Sequence, residues 1–223
     1  MKETIEEKRQ RAVSIIKILE REYPDAKCSL DFDTPHRLLV ATILAAQCTD
    51  ERVNIVTPKL FEKYPDVYTF AEASYDELQD MIRSTGFFRN KTTAIIESAQ
   101  QIVQNHNGIV PDTMEELTAL TGIGRKTANL ILGVVYKKPA VIVDTHVKRI
   151  SKRMGFTKNT DPEKIEYDLV EILPEQYATE FNHLLVYHGR AVCKAPKPKC
   201  EICSVMPMCP FGLGESTPDE KDE

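Results

Sequence analysis

Two residues in the middle of this chain combine types and spacing that could do chemistry. Lys126 follows the turn Thr121-Gly122-Ile123-Gly124, where an apolar helical stretch gives way to a second helix. The positive end of a helix dipole is a poor seat for a structural ammonium and a good one for an amine used as a nucleophile. Gly122 and Gly124 let the turn be tight and direct backbone N–H groups outward, and with Arg125 beside them they favour an anion such as phosphate. Eighteen residues after Lys126, the β-branched run Val141-Ile142-Val143 ends in Asp144-Thr145-His146. That pattern reads as an extended segment entering a helix with Asp144 as N-cap, a position from which a carboxylate can cap and still serve chemistry.

A second set of reactive side chains lies near the C-terminus. Cys193, Cys200, Cys203 and Cys209 give C-x6-C-x2-C-x5-C within a segment rich in Pro and Lys. Four clustered thiols in a cytosolic protein point to a metal site rather than disulfides. Zinc usually takes two tight pairs and only Cys200 and Cys203 form one, whereas an iron-sulfur cluster has no such rule. Lys194, Lys197 and Lys199 alternate with Pro196 and Pro198 between the first two cysteines. They read either as phosphate ligands held on a constrained loop or as ordinary solvated lysines. Cys28 and Cys48 read as small buried hydrophobes.

The elements that must carry these groups are helical. Ala12, Ile15, Ile16 and Leu19 mark one face of a helix over residues 2–21, and Leu38, Leu39, Ile43 and Ala46 mark another from Pro35 that runs into Gln47. A helix from Asp50 is interrupted or bent by Pro58. Ser74-x-x-Glu77 and Thr113-x-x-Glu116 are capping boxes, and Ala94, Ile95, Ala99, Ile102 and Val103 define a helix over 91–106. In the helix after Lys126, Leu130, Ile131, Val134 and Val135 form the expected buried stripe, with the Lys126 Cα near that side. Lys148, Arg149, Lys152 and Arg153 line a basic edge after Asp144. Asp161-Pro162 and Pro174 open the last two helices. Nothing predicts a substantial sheet, so the fold class is all-α.

Composition narrows the partners. The formal charge is -5 over 223 residues, yet residues 121–200 carry 14 Lys+Arg against 8 Asp+Glu while the flanking segments are acidic. Positive charge is gathered where the hairpin and most of the cysteine loop lie, as a local phosphate footprint requires. No apolar run is long enough to span a membrane, and the charged N-terminus MKETIEEKRQRAV lacks the apolar core of a secretory signal, so a cytoplasmic protein is expected. The segment after Cys209, acidic and without periodicity, reads as disordered.

The L-x-G-x-G-x-K-T-A-N hairpin followed by V-D-T-H resembles the helix-hairpin-helix DNA repair glycosylases, most closely the endonuclease III family, from about residue 28 to Cys209. The resemblance implies two helical domains with the cleft between them: a six-helix domain over 28–137 with the hairpin, and a cluster domain of 1–27 plus 138–209, leaving 210–223 as the tail. It implies a [4Fe-4S] cluster on the four cysteines and a cysteine loop that grips phosphates. It implies a monomer acting on double-stranded DNA as a bifunctional glycosylase and β-lyase on oxidised pyrimidines or abasic sites, with Lys126 as nucleophile and Asp144 assisting. Gln47 would fill the gap left by an extruded base, against a plain reading as a solvent-facing helix end. Phe87 would be the wedge in Phe87-Phe88, against both rings being core, and His146 would line the pocket, against facing solvent. An adenine glycosylase is disfavoured because Leu39–Cys48 holds no carboxylate. A thymine or uracil mismatch glycosylase, and a non-catalytic iron-sulfur DNA-binding or electron-transfer module, stay open.

Overall fold

The computed structural model describes residues 3–214, which form eleven α-helices joined by turns and short 3-10 segments, with no strand among the described residues. None of these helices is long and apolar enough to cross a membrane. The chain divides into two compact units, residues 28–138 and, on either side, residues up to Lys27 and from Pro139. The first boundary falls where the resemblance placed it and the second one residue later.

α1 (Ile5–Glu22) begins at a capping box in which Thr4 accepts from the Glu7 N–H and Glu7 accepts from the Thr4 N–H. Its buried residues are the four the spacing picked out, Ala12, Ile15, Ile16 and Leu19, and they join the core of the split unit.

In the central unit, α2 (Pro35–Ala45) is capped by Thr34, and α3 (Asp50–Lys63) runs unbroken through Pro58. Pro58 is exposed, so water can take the carbonyl that the missing N–H leaves unpaired. A short α4 (Val67–Ala71) follows, built on an Asp66–Thr69 capping box. It makes seven α-helices in this unit where six were expected. α5 (Tyr75–Ile82) starts at Ser74, but that side chain makes no capping bond, so the expected box does not form. A 3-10 turn at 83–85 leads through Gly86 and Phe87, both at positive φ, into α6 (Phe88–His106). α7 (Met114–Ala119) and α8 (Arg125–Val134) enclose the hairpin. α6 packs against α2, α4 and α5, and α8 packs against α2 and α7.

In the split unit, the buried extended segment 140–143 leads to α9 (Thr145–Arg153), then α10 (Pro162–Ile172) and α11 (Ala178–Ala191). Pro174 opens a 3-10 turn rather than α11 itself. Side chains of α11 hold the extended segment: Asn182 donates to the Ile142 carbonyl at 2.9 Å and Thr179 to that of Ala140 at 3.2 Å. α1 packs on α10 and α11, and Arg11 donates to the carbonyls of Met154 (2.8 Å) and Met208 (3.0 Å) while pairing with Glu3. Residues 210–214 do not belong to a disordered tail. The Phe211 N–H donates to the Arg153 carbonyl at 3.2 Å, and the Arg153 guanidinium lies over the Phe211 ring. The rest of the acidic tail, 215–223, lies outside the described residues.

Candidate functional site

The hairpin is held from below by α6. The Thr121 N–H donates to Gln101 Oε1 at 2.8 Å, and the Ile123 side chain is buried. Gly122 sits at φ +78°, and a Cβ there would come within 2.5 Å of the Ala94 Cβ. Glycine is therefore required at 122 by both backbone and packing. Gly124 is different: its φ is -93°, and a Cβ would meet nothing within 4 Å. It is the N-cap of α8, and no side chain caps that end. Space is kept open in front of the first turn of α8, where backbone N–H groups and the dipole favour an anion.

Lys126, in this first turn, is exposed, and Arg125 is partly so. The buried face of α8 is Ala128, Ile131 and Leu132. Leu130, Val134 and Val135 are only partly buried, so the expected stripe is rotated and Lys126 lies away from the core rather than near it. α8 is apolar on several sides, and the hairpin, not the pattern, chooses which side faces inward. Beyond α8 the chain is strapped back by Tyr136, which donates to the Val110 carbonyl, and by the Lys138–Asp112 ion pair at 2.6 Å.

On the split unit, Asp144 caps α9: its Oδ1 accepts from the Val147 N–H at 2.7 Å, leaving Oδ2 outside that cap. The residue is half-buried. His146 does not simply face solvent. It is partly buried, Arg149 approaches its Nδ1 at 3.2 Å, and a Cβ on Gly189 of α11 would strike that same nitrogen. Burial holds the His146 pKa below the usual imidazole value, with Arg149 and Arg190 acting the same way and Asp144 opposing.

All four clustered cysteines line one cavity open to solvent, whose walls include Ile150, Val205, Met206 and Phe211. Arg153 Nη1 lies 3.4 Å from Cys193 Sγ and donates to the Lys194 carbonyl at 2.9 Å. His188 Nε2 stands 3.6 Å from Cys203 Sγ. Burial pushes the Cys203 thiol up to about 11 and raises those of Cys200 and Cys209. Bare thiolates are thus disfavoured here unless a cation neutralises them. The donor set is soft, the walls are largely apolar and a cationic guanidinium is at hand. These features fit a polynuclear cluster with net negative charge. Among the described residues no three His, Cys, Asp or Glu side chains converge on a single-ion position. Lys194, Lys197 and Lys199 are all exposed on the loop between the first two thiols.

A family described as HhH-GPD superfamily base excision DNA repair protein matches residues 40–175. Endonuclease III of Synechocystis sp. is 52% identical over 204 residues, covering 91% of this chain and 93% of that protein. This chain belongs to the endonuclease III family. Endonuclease III of Thermotoga maritima is 42% identical, with 81% and 87% covered. A solved trapped endonuclease III–DNA covalent intermediate matches with a TM-score of 0.86 at 38% identity, covering 92% of this chain and 97% of that one. A thermostable thymine-DNA glycosylase matches at 0.82 but with 20% identity, a likeness of fold alone. As a member of the endonuclease III family, the protein is a base excision repair DNA glycosylase and abasic-site lyase.

Two further residues of this endonuclease III relative are brought into relief by the same geometry. Gln47, two positions past α2, is exposed at φ 54°, and Phe87 is 61% exposed at φ 47°. Phe88 is half-buried, with the Arg83 guanidinium 5.6 Å from its ring centroid, so the two rings have different surroundings. The basic edge expected on α9 is only partly external. Arg149 donates to the Cys193 carbonyl at 2.9 Å and Arg153 is buried behind the cysteine loop, while Lys148 and Lys152 are partly exposed. Nothing in residue type or spacing pointed to Gln101 under the hairpin. For Arg153 the signal was present: it follows Ile150 by three, on the buried face of α9.

Proposed function

We propose that this enzyme removes oxidised pyrimidines from duplex DNA with Lys126 as nucleophile and Asp144 as the assisting carboxylate. Phe87 acts as the wedge and Gln47 fills the gap left in the stack when the damaged nucleotide is extruded. Both hold left-handed backbone conformations that non-glycine residues seldom adopt, a strain that accumulates at functional positions. Lys126 Nζ attacks C1′, a C–N bond forms, and the base departs with the glycosidic electron pair. Asp144 steadies the positive charge on the sugar and takes the proton the amine sheds. The nitrogen then sheds its remaining acidic proton to O4′ by way of Asp144 as the C1′–O4′ bond opens, leaving an open-chain imine; the imine acidifies C2′, loss of a proton there expels the 3′ phosphate, and hydrolysis of the imine frees Lys126.

Gly122 and Gly124 present the hairpin backbone to a phosphate, with Arg125 beside them and Lys194, Lys197 and Lys199 gripping further phosphates. His146, kept neutral by burial, lines the pocket beside Asp144. Cys193, Cys200, Cys203 and Cys209 hold a [4Fe-4S] cluster, which when bound fixes the loop that carries these lysines. One chain supplies every group, so the enzyme works as a monomer, in the cytoplasm and at the nucleoid in a prokaryote.

The observation that carries this reading is an exposed lysine in the first turn of α8 behind a glycine with open space before it. Borohydride should trap the protein covalently on DNA containing an oxidised pyrimidine, and Lys126→Ala should abolish trapping. Persistence of the trapped species in that variant rules out Lys126. Asp144→Asn should keep DNA affinity while lowering turnover by about 100-fold or more; equal losses in both would remove Asp144 from the chemistry.

A further inference from the structure

Lys91 is the most unusual side chain of the central unit. It is 4% exposed, and its ammonium donates to the Leu44 carbonyl at 2.8 Å and the Thr85 carbonyl at 2.7 Å. Among the described residues, no carboxylate accompanies these bonds. Burying a charge on carbonyl dipoles alone is costly, and a methionine would fill similar space. Burial lowers the lysine's pKa, which records the same cost.

What the two acceptors share explains why the cost is borne. Leu44 is the penultimate residue of α2, and Thr85 closes the 3-10 turn at 83–85. Carbonyls at such ends lack the donors of the next helical turn and carry the negative end of the dipole. Each end leads into a left-handed residue that is exposed: Gln47 three positions after Leu44, Phe87 two positions after Thr85. The Lys91 N–H also donates to the Phe87 carbonyl at 3.1 Å. A single residue therefore fastens the roots of both loops, one through its side chain and the other through side chain and backbone.

We propose that Lys91 is a positioning residue that fixes the separation of Gln47 and Phe87, so that gap-filling and wedging occur in register on one duplex. The inference rests on the reading that these two side chains enter DNA. Losing the ammonium should leave both loops intact but let their tips move independently, which harms extrusion of a stacked base more than capture of a nucleotide that has already lost its base.

The experiment compares Lys91→Met in the otherwise native protein and in a Gln47→Ala/Phe87→Ala background. Its readouts are single-turnover excision of an oxidised pyrimidine, cleavage of a preformed abasic site, and the melting temperature. In the native background, Lys91→Met should slow excision by about ten-fold or more and abasic-site cleavage by clearly less. In the double-alanine background it should slow excision by no more than about two-fold, because a residue acting through those side chains has nothing left to act on. Equal slowing in both backgrounds, or slowing of both reactions alike in step with the melting temperature, would overturn the proposal. Excision at the native rate in Gln47→Ala/Phe87→Ala would instead defeat the insertion reading on which it rests. Should Lys91→Met not fold, Lys91→Gln retains a donor for one carbonyl and carries the same comparison.

Discussion

The two hairpin glycines, only two positions apart, are needed for different reasons, and that difference can be measured. Gly122 meets a demand of the fold: positive φ, with Ala94 where a side chain would go. Gly124 meets no such demand, so its missing side chain serves whatever approaches from outside. Gly122→Ala should cost about 2 kcal/mol or more of stability. Gly124→Ala should cost within about 1 kcal/mol, the usual N-cap penalty, while weakening DNA binding by about ten-fold. Thermal melts and a binding titration on the two variants separate these effects, and an unchanged affinity in Gly124→Ala would show that the open space serves no ligand. The placement of Lys126 in the first turn of α8, of Asp144 as the cap of α9 and of the four cysteines around one cavity was legible from residue type and spacing, because each is set by nearby sequence. Lys91 was not. In Arg89-Asn90-Lys91 it reads as a solvated charge beside two aromatics, and its burial is decided by Leu44, far away in the chain.

At the scale of elements, α6 is the ruler of the central unit. Lys91, Ala94, Ser98 and Gln101 follow one another at intervals of three or four, so they share a face. Lys91 reaches the loop roots, Ala94 abuts Gly122, and Gln101 accepts from Thr121. The hydrophobic period revealed this helix and its core face, since Ala94, Ile95, Ala99 and Ile102 are all buried. It could not reveal that Gln101, a polar member of the same face, holds the hairpin. For α8 the period misled, because a short helix that is apolar on several sides has no preferred face until its partners are known. Gln101→Ala should lower stability by about 1 kcal/mol and weaken DNA binding, whereas Gln101→Glu, which keeps the acceptor, should bind nearly as the native protein does. Chemical denaturation with parallel binding curves checks this, and normal affinity in Gln101→Ala would detach α6 from the hairpin.

For the whole molecule, net charge is a poor guide and its distribution a good one. A chain of charge -5 nonetheless carries its cationic excess between residues 121 and 200, and Lys194, Lys197 and Lys199 of that segment are exposed. If all three contact phosphates, changing them together to Gln should reduce the slope of log affinity against log salt by nearly 3, at about 0.9 per phosphate. Fluorescence anisotropy from low to moderate salt measures the slope, and an unaltered slope would return these lysines to bulk solvent. Half of the basic edge on α9 escaped this reading: charge counts do not tell an outward cation from Arg153, which is folded behind the thiols.

The split unit draws α1 from before the central unit and everything else from after it, and Arg11 is bonded to carbonyls at Met154 and Met208. During synthesis, Cys28–Lys138 can therefore collapse on the ribosome while α1 waits for partners not yet translated. The four clustered thiols emerge after all eleven α-helices. If the four cysteines hold a cluster and Gln47 and Phe87 enter the duplex, as proposed, a nascent chain forms those loops before it can take up iron, and starvation for iron-sulfur assembly would strand a half-finished product rather than an unfolded one.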